Sequence, residues 1–327
     1  MHGRGDLLAL AAWMALAGGV AAGCSGGAAV TRASVLESAG ASAPTSHHDP
    51  PSSLEPAAAL PAPGPTRAAA GSPADAAASA TTAAPDTPDG VQHTFRHPVV
   101  DRERSVVRVL MYHSFGWFSE QRPAVSPYSL RTQLRWMRDH QVEIIRVSHL
   151  MEFLEGDLNL PARAAVITID DGEQNAYTVA YPILAEFEAP FALAPPTDAV
   201  MHHSSRGTVT WQQIREMLDS GLCELLSHGH THRALTALDT HALERELLEP
   251  RTLLEHHVGV GPDALAYPLG AHSEDLARQV QAAGYRAAFV ARGGPVTCRT
   301  ARFAIPRYAV EKDTNLFTFA YFFRHPG

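Results

Sequence analysis

Two acidic residues, Asp170 and Asp171, close the apolar run Ala164-Ala165-Val166-Ile167-Thr168-Ile169, and further along three histidines alternate with single residues at His228, His230 and His232. Carboxylate oxygen and imidazole nitrogen are the donors of catalytic zinc sites, in which three protein ligands leave a position for water. Two imidazoles and one carboxylate from the pair would hold a divalent cation with such a position open. Packing is a poor explanation for histidines set this closely, because they compete for partners and are costly to protonate side by side. If the segment is helical, His228 and His232 share a face; if it is extended, all three fall on one side.

The run before Asp170 is β-branched and aliphatic and reads as a buried strand that carries its acidic residues to its carboxyl end. Side chains of consecutive strand residues point to opposite faces, so a shared site requires the backbone to leave strand geometry at Asp170, and Gly172 permits that turn. Further strands are predicted over 106–113, 142–147, 190–194 and 223–227. Between them the periodicity predicts helices over 130–140, over 149–155 with Ser148 as the cap, over 176–186 despite Pro182, and over 211–220 with Gly221 as the stop. Such alternation is that of a parallel α/β fold.

These elements all fall in the later part of a 327-residue chain. Residues 1–23 read as a signal peptide: Arg4, then the apolar run from Leu7 to Ala17, then the small residues Ala21-Ala22-Gly23. Too few apolar residues precede the polar tract to span a bilayer. Val20-Ala21-Ala22-Gly23-Cys24 resembles the lipobox of bacterial lipoproteins, with alanine where leucine is usual at the third position before Cys24. That resemblance implies an exported chain anchored to membrane by a lipid on Cys24, and Ser25 in place of aspartate implies the outer membrane or cell surface. Residues 24–95 are rich in Ala, Pro and Ser, with almost nothing to bury, and read as a disordered tether. Residues 96–327 form the single expected domain. A net charge of −8 without a basic cluster argues against nucleic acid. Cys223 and Cys298 could pair or stay free. A monomer is expected.

Thr168-Ile169-Asp170-Asp171-Gly172, then His228-Gly229-His230-Thr231-His232, then Ala266-Tyr267-Pro268-Leu269-Gly270 resemble, in this order, the motifs of the polysaccharide deacetylases, carbohydrate esterase family 4. Val109-Leu110-Met111-Tyr112-His113, Ala180-Tyr181-Pro182-Ile183-Leu184, Ala283-Gly284-Tyr285 and Ile305-Pro306-Arg307 also resemble family segments, and the pattern is nearest to the branch acting on poly-N-acetylglucosamine exopolysaccharide. The resemblance implies a distorted (β/α) barrel with fewer than eight regular strands, a divalent metal, and removal of N-acetyl groups from a surface or secreted polysaccharide. It implies Asp170 as general base, Asp171, His228 and His232 as metal ligands, and the Leu269 amide as an oxyanion donor. His230 is left as a bystander. Zinc suits nitrogen and carboxylate donors, and iron, cobalt and nickel fit the same set.

Two departures stand out. No Leu-x-His-Asp segment follows Gly270 to supply the usual general acid, which leaves His113 ahead of His272 and His325. No arginine precedes the Tyr-Pro loop, where Pro262-Asp263-Ala264-Leu265 stands, so the tuning of Asp170 has no evident source. Alternative readings are an O-acetyl esterase on xylan or a similar glycan, a sugar-binding lipoprotein without activity, and an amidohydrolase using His228 and His230. His202-His203, His256-His257 and Glu173 read as solvated surface, Trp117 and Phe118 as a sugar platform, and the aromatic segment from Phe317 to Phe323 as packing.

Overall fold

The computed structural model describes residues 93–116 and 124–324. The segment read as a signal peptide, Cys24, nearly all of the expected tether, Trp117, Phe118 and His325 lie outside the described residues. Strands β1 (Val106–Tyr112) and β3 (Arg163–Asp170) form the centre of the fold, pairing in parallel from Val106 with Arg163 to Tyr112 with Ile169. Both are buried almost throughout, which accounts for their near-continuous apolar sequence. The other edge of β3 is shared by β2 (Glu143–Ile144) at its start and by β4 (Phe191–Ala194) at its end. Next to β4 lies β5 (Cys223–Leu225), and β8 (Tyr308–Ala309) flanks β1. β6 (Ala264–Ala266) and β7 (Ala287–Phe289) pair separately. Single bridges join Ser227 to Leu265 and Phe289 to Ile305, closing the sheets into the distorted barrel that the family resemblance implies.

Alternation along the strands separates two cores. Val107, Val109, Ala164, Val166, Ala192, Ala264 and Phe289 share the interior cluster. Leu110, Tyr112, Ile167, Ile169 and Leu193 face outward against the helices. Asp170 shares the parity of Ala164 and Val166, so it points into the barrel, and His113, next in register after Tyr112–Ile169, lies beside it.

The helices are α1 (Pro127–Asp139), α2 (Val147–Glu155), α3 (Tyr181–Glu186), α4 (Thr197–Met201), α5 (His203–Arg206), α6 (Trp211–Asp219), α7 (Thr240–Val258), α8 (Glu274–Ala282) and α9 (Leu316–Tyr321). Side chains cap several of them: Ser126 accepts from the Ser129 amide, Thr210 and Gln213 form a capping box, and Asp239 and Ser273 accept from Ala242 and Leu276.

Three local expectations change. The strand expected over 142–147 is only Glu143–Ile144, and α2 starts at Val147, so Ser148 lies inside the helix. Its cap comes from β5: the Glu224 carboxylate accepts from the Val147 amide at 2.7 Å, the Ser148 amide at 3.3 Å and the Ser148 hydroxyl at 2.5 Å. The helix expected over 176–186 is a π-helical turn, Ala176–Ala180, running into α3, which places Pro182 in a first turn where its missing N–H costs nothing. Cys223 and Cys298 are both free thiols, in the outer and inner clusters respectively. In the terminal aromatic segment Phe319 is buried and Phe322 and Phe323 pack on the outer cluster, whereas Phe317 is exposed.

Candidate active site

The end of β3 delivers both carboxylates, but to different partners. Strand geometry persists through Asp170 and breaks one residue later than expected, with Asp171 at φ 65° and Gly172 at φ 60°. A Cβ on Gly172 would lie 2.8 Å from Pro195 Cβ, so the turn admits no side chain there. Asp170, 2% exposed, accepts two hydrogen bonds from Arg307, each 2.8 Å long. Arg307 is 1% exposed and also donates to the Thr168 hydroxyl at 3.1 Å and the Val290 carbonyl at 3.4 Å. Burial alone would raise the Asp170 carboxyl. The Arg307 charge, the His228 charge, the Arg307 hydrogen bonds and His113 outweigh it and hold the carboxyl below its ordinary range. The arginine absent before the Tyr-Pro loop is thus supplied from just before β8.

Asp171 turns toward the histidine loop. His232 Nε2 stands 3.2 Å and His228 Nε2 3.6 Å from one Asp171 oxygen, and one donor atom from each of the three residues lies within 4.8 Å of the others. His228 Nδ1 is 2.8 Å from the Ala266 carbonyl, which can only accept, so Nδ1 carries the proton and Nε2 is the nitrogen turned to the cluster. A backbone carbonyl on the remote nitrogen is the usual support of a ligating imidazole. Burial would raise the Asp171 carboxyl, but hydrogen bonds from His228 and His232 and their charges hold it well below the usual range. The Asp171 hydrogen bond raises His232 in turn, against its burial. A site that draws positive charge onto His232, with two nitrogens and one oxygen converging, fits a divalent cation.

His230 faces away. Its Nδ1 is 2.9 Å from the Thr197 hydroxyl, and its Nε2 lies 3.6 Å from Glu249. The loop is neither helical nor extended: Gly229 has φ 70° and His232 φ 58°, and this reversal brings His228 and His232 together without His230. The Tyr-Pro loop packs alongside, since a Cβ on Gly229 would lie 3.4 Å from Pro268 Cγ. Leu269 has φ 58° and is 69% exposed, a strained conformation for a residue with a side chain. His113 is half-buried at the end of β1 and close enough to lower the Asp170 carboxyl. His272 is exposed and meets the Tyr267 ring edge-on, with centroids 5.2 Å apart.

Three residues that sequence reasoning passed over hold the site. Arg307 was visible only as the end of Ile305-Pro306-Arg307. Asn175 accepts from the Phe115 amide at 3.0 Å and donates to Ser114 at 3.0 Å and Glu173 at 2.9 Å, tying the turn after His113 to the turn after Asp171. Glu173 is therefore half-buried rather than solvated. Glu246, from α7, accepts from the backbone of the histidine loop. No motif marks the last two.

Residues 157–288 match the family model for polysaccharide deacetylases. The chain is 27% identical over 236 residues to the poly-beta-1,6-N-acetyl-D-glucosamine N-deacetylase of Escherichia coli K12, covering 60% of this chain and 35% of that protein. It thus spans about a third of that relative's length. The protein of the same name from Staphylococcus epidermidis is 23% identical over 201 residues, covering 58% of this chain and 69% of the relative. Among solved structures, the Streptococcus pyogenes deacetylase PplD in complex with acetate aligns with a TM-score of 0.63 at 19% identity, over 67% of this chain and 99% of that one. IcaB from Ammonifex degensii aligns at 0.56 and 24% identity, over 67% and 97%. These two likenesses establish the fold.

Proposed function

Because residues 157–288 carry a polysaccharide deacetylase domain, we propose that the chain is a metal-dependent hydrolase that removes acetyl groups from N-acetylglucosamine units of a β-1,6-linked polysaccharide. The observation that carries this reading is the division of labour between neighbouring carboxylates: Asp171 faces two imidazoles at 3.2 and 3.6 Å, while Asp170 is locked to Arg307 at 2.8 Å. A sugar-binding domain has no use for a buried carboxylate kept ionised beside a cation site, whereas hydrolysis does.

Asp171, His228 and His232 would hold the cation, which would supply Lewis acidity toward the acetamide carbonyl and lower the pKa of the attacking water. Asp170 takes the proton of that water; Arg307 keeps it ionised and fixes its orientation. The Leu269 amide donates to the oxygen that becomes negative as the carbonyl turns tetrahedral. His113 gives a proton to the departing nitrogen, so amide plus water become acetate and free amine. His230 takes no part.

The proposal extends to place: export, with a lipid on Cys24 and residues 24–95 as a tether giving the catalytic domain reach to an envelope or secreted glycan. Among the described residues no helix is long and apolar enough to cross a membrane. The test is acetate release by the purified protein from β-1,6-linked N-acetylglucosamine oligomers, after chelation and after reloading with zinc or cobalt. Release that depends on metal and disappears in Asp170→Asn supports the reading. Release from acetylated xylan alone would reassign the protein as an O-acetyl esterase, and sugar binding with no release from either would make it a binding module.

A further inference from the structure

The loop that carries two of the cation donors rests on a carboxylate that the reaction does not use. We propose that Glu246 is a positioning residue for the metal site: it fixes the backbone between His228 and His232 and thereby sets the affinity for the cation. This inference rests on reading Asp171, His228 and His232 as ligands.

Glu246 projects from α7 and is 4% exposed. One of its oxygens accepts from the His230 amide at 2.6 Å and the Thr231 amide at 2.9 Å, and the other accepts from the Thr231 hydroxyl. Backbone amides can only donate, so an acceptor-only side chain is the partner this pocket takes. The loop lies directly on it: a Cβ on Gly229 would approach Glu246 Oε2 to 2.8 Å. The two held residues, His230 and Thr231, lie between the ligands His228 and His232 and lead into the reversal at His232, whose φ of 58° is strained for a side-chain-bearing residue. Such a conformation persists only where its surroundings over-determine it, and here the determinant is a three-bond grip on the preceding turn. A second grip acts on the same segment, since His230 is fastened to Thr197 at 2.9 Å. With the turn released, His228 stays aimed by its bond to Ala266, but His232 loses its fixed distance to Asp171. A cation bound by a partner that must first be reassembled is held more weakly.

The test uses the full chain and cobalt(II) as the probe, with affinity from competition against a chromophoric chelator, the cobalt absorption spectrum, and melting of the metal-free protein. Thr231→Val removes only the hydroxyl. Glu246→Gln keeps the shape of the grip with a weaker acceptor, and Glu246→Ala removes it. The expected order of cobalt affinity is native, Thr231→Val, Glu246→Gln, Glu246→Ala, with the last weaker by about 10- to 100-fold, the range for residues that support metal ligands. The spectrum should change in the same order, while Thr231→Val and Glu246→Gln melt like the native protein without metal. Cobalt binding by both of these variants at native affinity, with native spectra, would overturn the role of Glu246, as would lowered melting with unchanged affinity. Failure of the native protein to bind cobalt would instead overturn the metal site itself.

Discussion

Replacing Arg307 by methionine isolates the element on which the chemistry most depends. In the native protein a guanidinium 1% exposed meets a carboxylate 2% exposed through two bonds of 2.8 Å. Removing one partner of such a buried pair costs about 3 to 5 kcal/mol, because the remaining charge is neither solvated nor paired. Asp170 can relieve that cost by taking a proton, and at about 1.4 kcal/mol per pKa unit the relief corresponds to an upward move of about two units or more. The sign follows from the direction of the native shift. Asp170 is depressed, so its contribution to stability is present above the unfolded carboxylate pKa of about 3.9 and is lost as pH falls through the folded value. In Arg307→Met burial is unopposed by the guanidinium, and the carboxylate form becomes the costly one. The acid limb of kcat/KM should therefore move to higher pH by about two units or more, so the rate lost on the acid side is recovered as pH rises. The assay is acetate release across pH, with melting measured alongside. Arg307→Lys, which keeps a charge but not the fork, should fall between. Asp170→Asn combined with Arg307→Met should melt higher than Arg307→Met alone, since no buried charge remains. A folded Arg307→Met protein with an unmoved acid limb would refute the reasoning.

Other consequences are independent of that pair. His232→Ala should abolish cobalt binding and acetate release, whereas His230→Ala should keep both to within a few-fold; the reverse pattern would assign the cation to His228 and His230. His113→Asn should lower kcat by about 10²- to 10⁴-fold while leaving cobalt affinity unchanged, because it acts on a proton and not on the cation. Glu224→Ala should uncap α2 and cost about 1 to 3 kcal/mol in urea denaturation, since two amides and a hydroxyl lose their acceptor. His149 is pushed down to about 4 by burial, then by His93 and Arg146. Its contribution is whole above its unfolded pKa of about 6.5 and is lost as pH falls toward the folded value, so melting temperature should decline over that interval, and less so in His149→Phe.

The parts of the site that lie along one strand end or within one short loop are legible in the chain, because local geometry brings them together. Asp170 and Asp171 follow a strand run whose composition gives away its burial, and the spacing of His228 and His232 admits a shared cation. What turns His232 rather than His230 toward Asp171 is the left-handed backbone at Gly229 and His232, and a non-glycine residue in that conformation leaves no periodic signal. Arg307 lies 137 positions from Asp170. Its pairing depends on β8 docking beside β1, and a strand of two residues is too short to read from alternation. Ser148 was chosen as a cap by its type, but the acceptor for α2 came from Glu224, 76 positions away. A carboxylate from another strand can satisfy helix amides as well as a local hydroxyl does, and nothing nearby announces it.

The strand ring is unevenly fastened. β1 and β3 share aligned pairs from Val106–Arg163 to Tyr112–Ile169, whereas single bridges at Ser227–Leu265 and Phe289–Ile305 join the remaining walls. Asp170 and Asp171 stand on the thick side, and His228 follows directly on the thin side at Ser227. An ion shared by Asp171 and His228 would join β3 to the loop after β5 and lace the seam only through His228, whose Nδ1 donates to the Ala266 carbonyl across it. Amide hydrogens of Ser227 and Ala266, which form that seam with the carbonyls of Ala264 and Ser227, should exchange with solvent more slowly once it is laced. Those deep in β1 and β3, held by a full ladder, should scarcely respond.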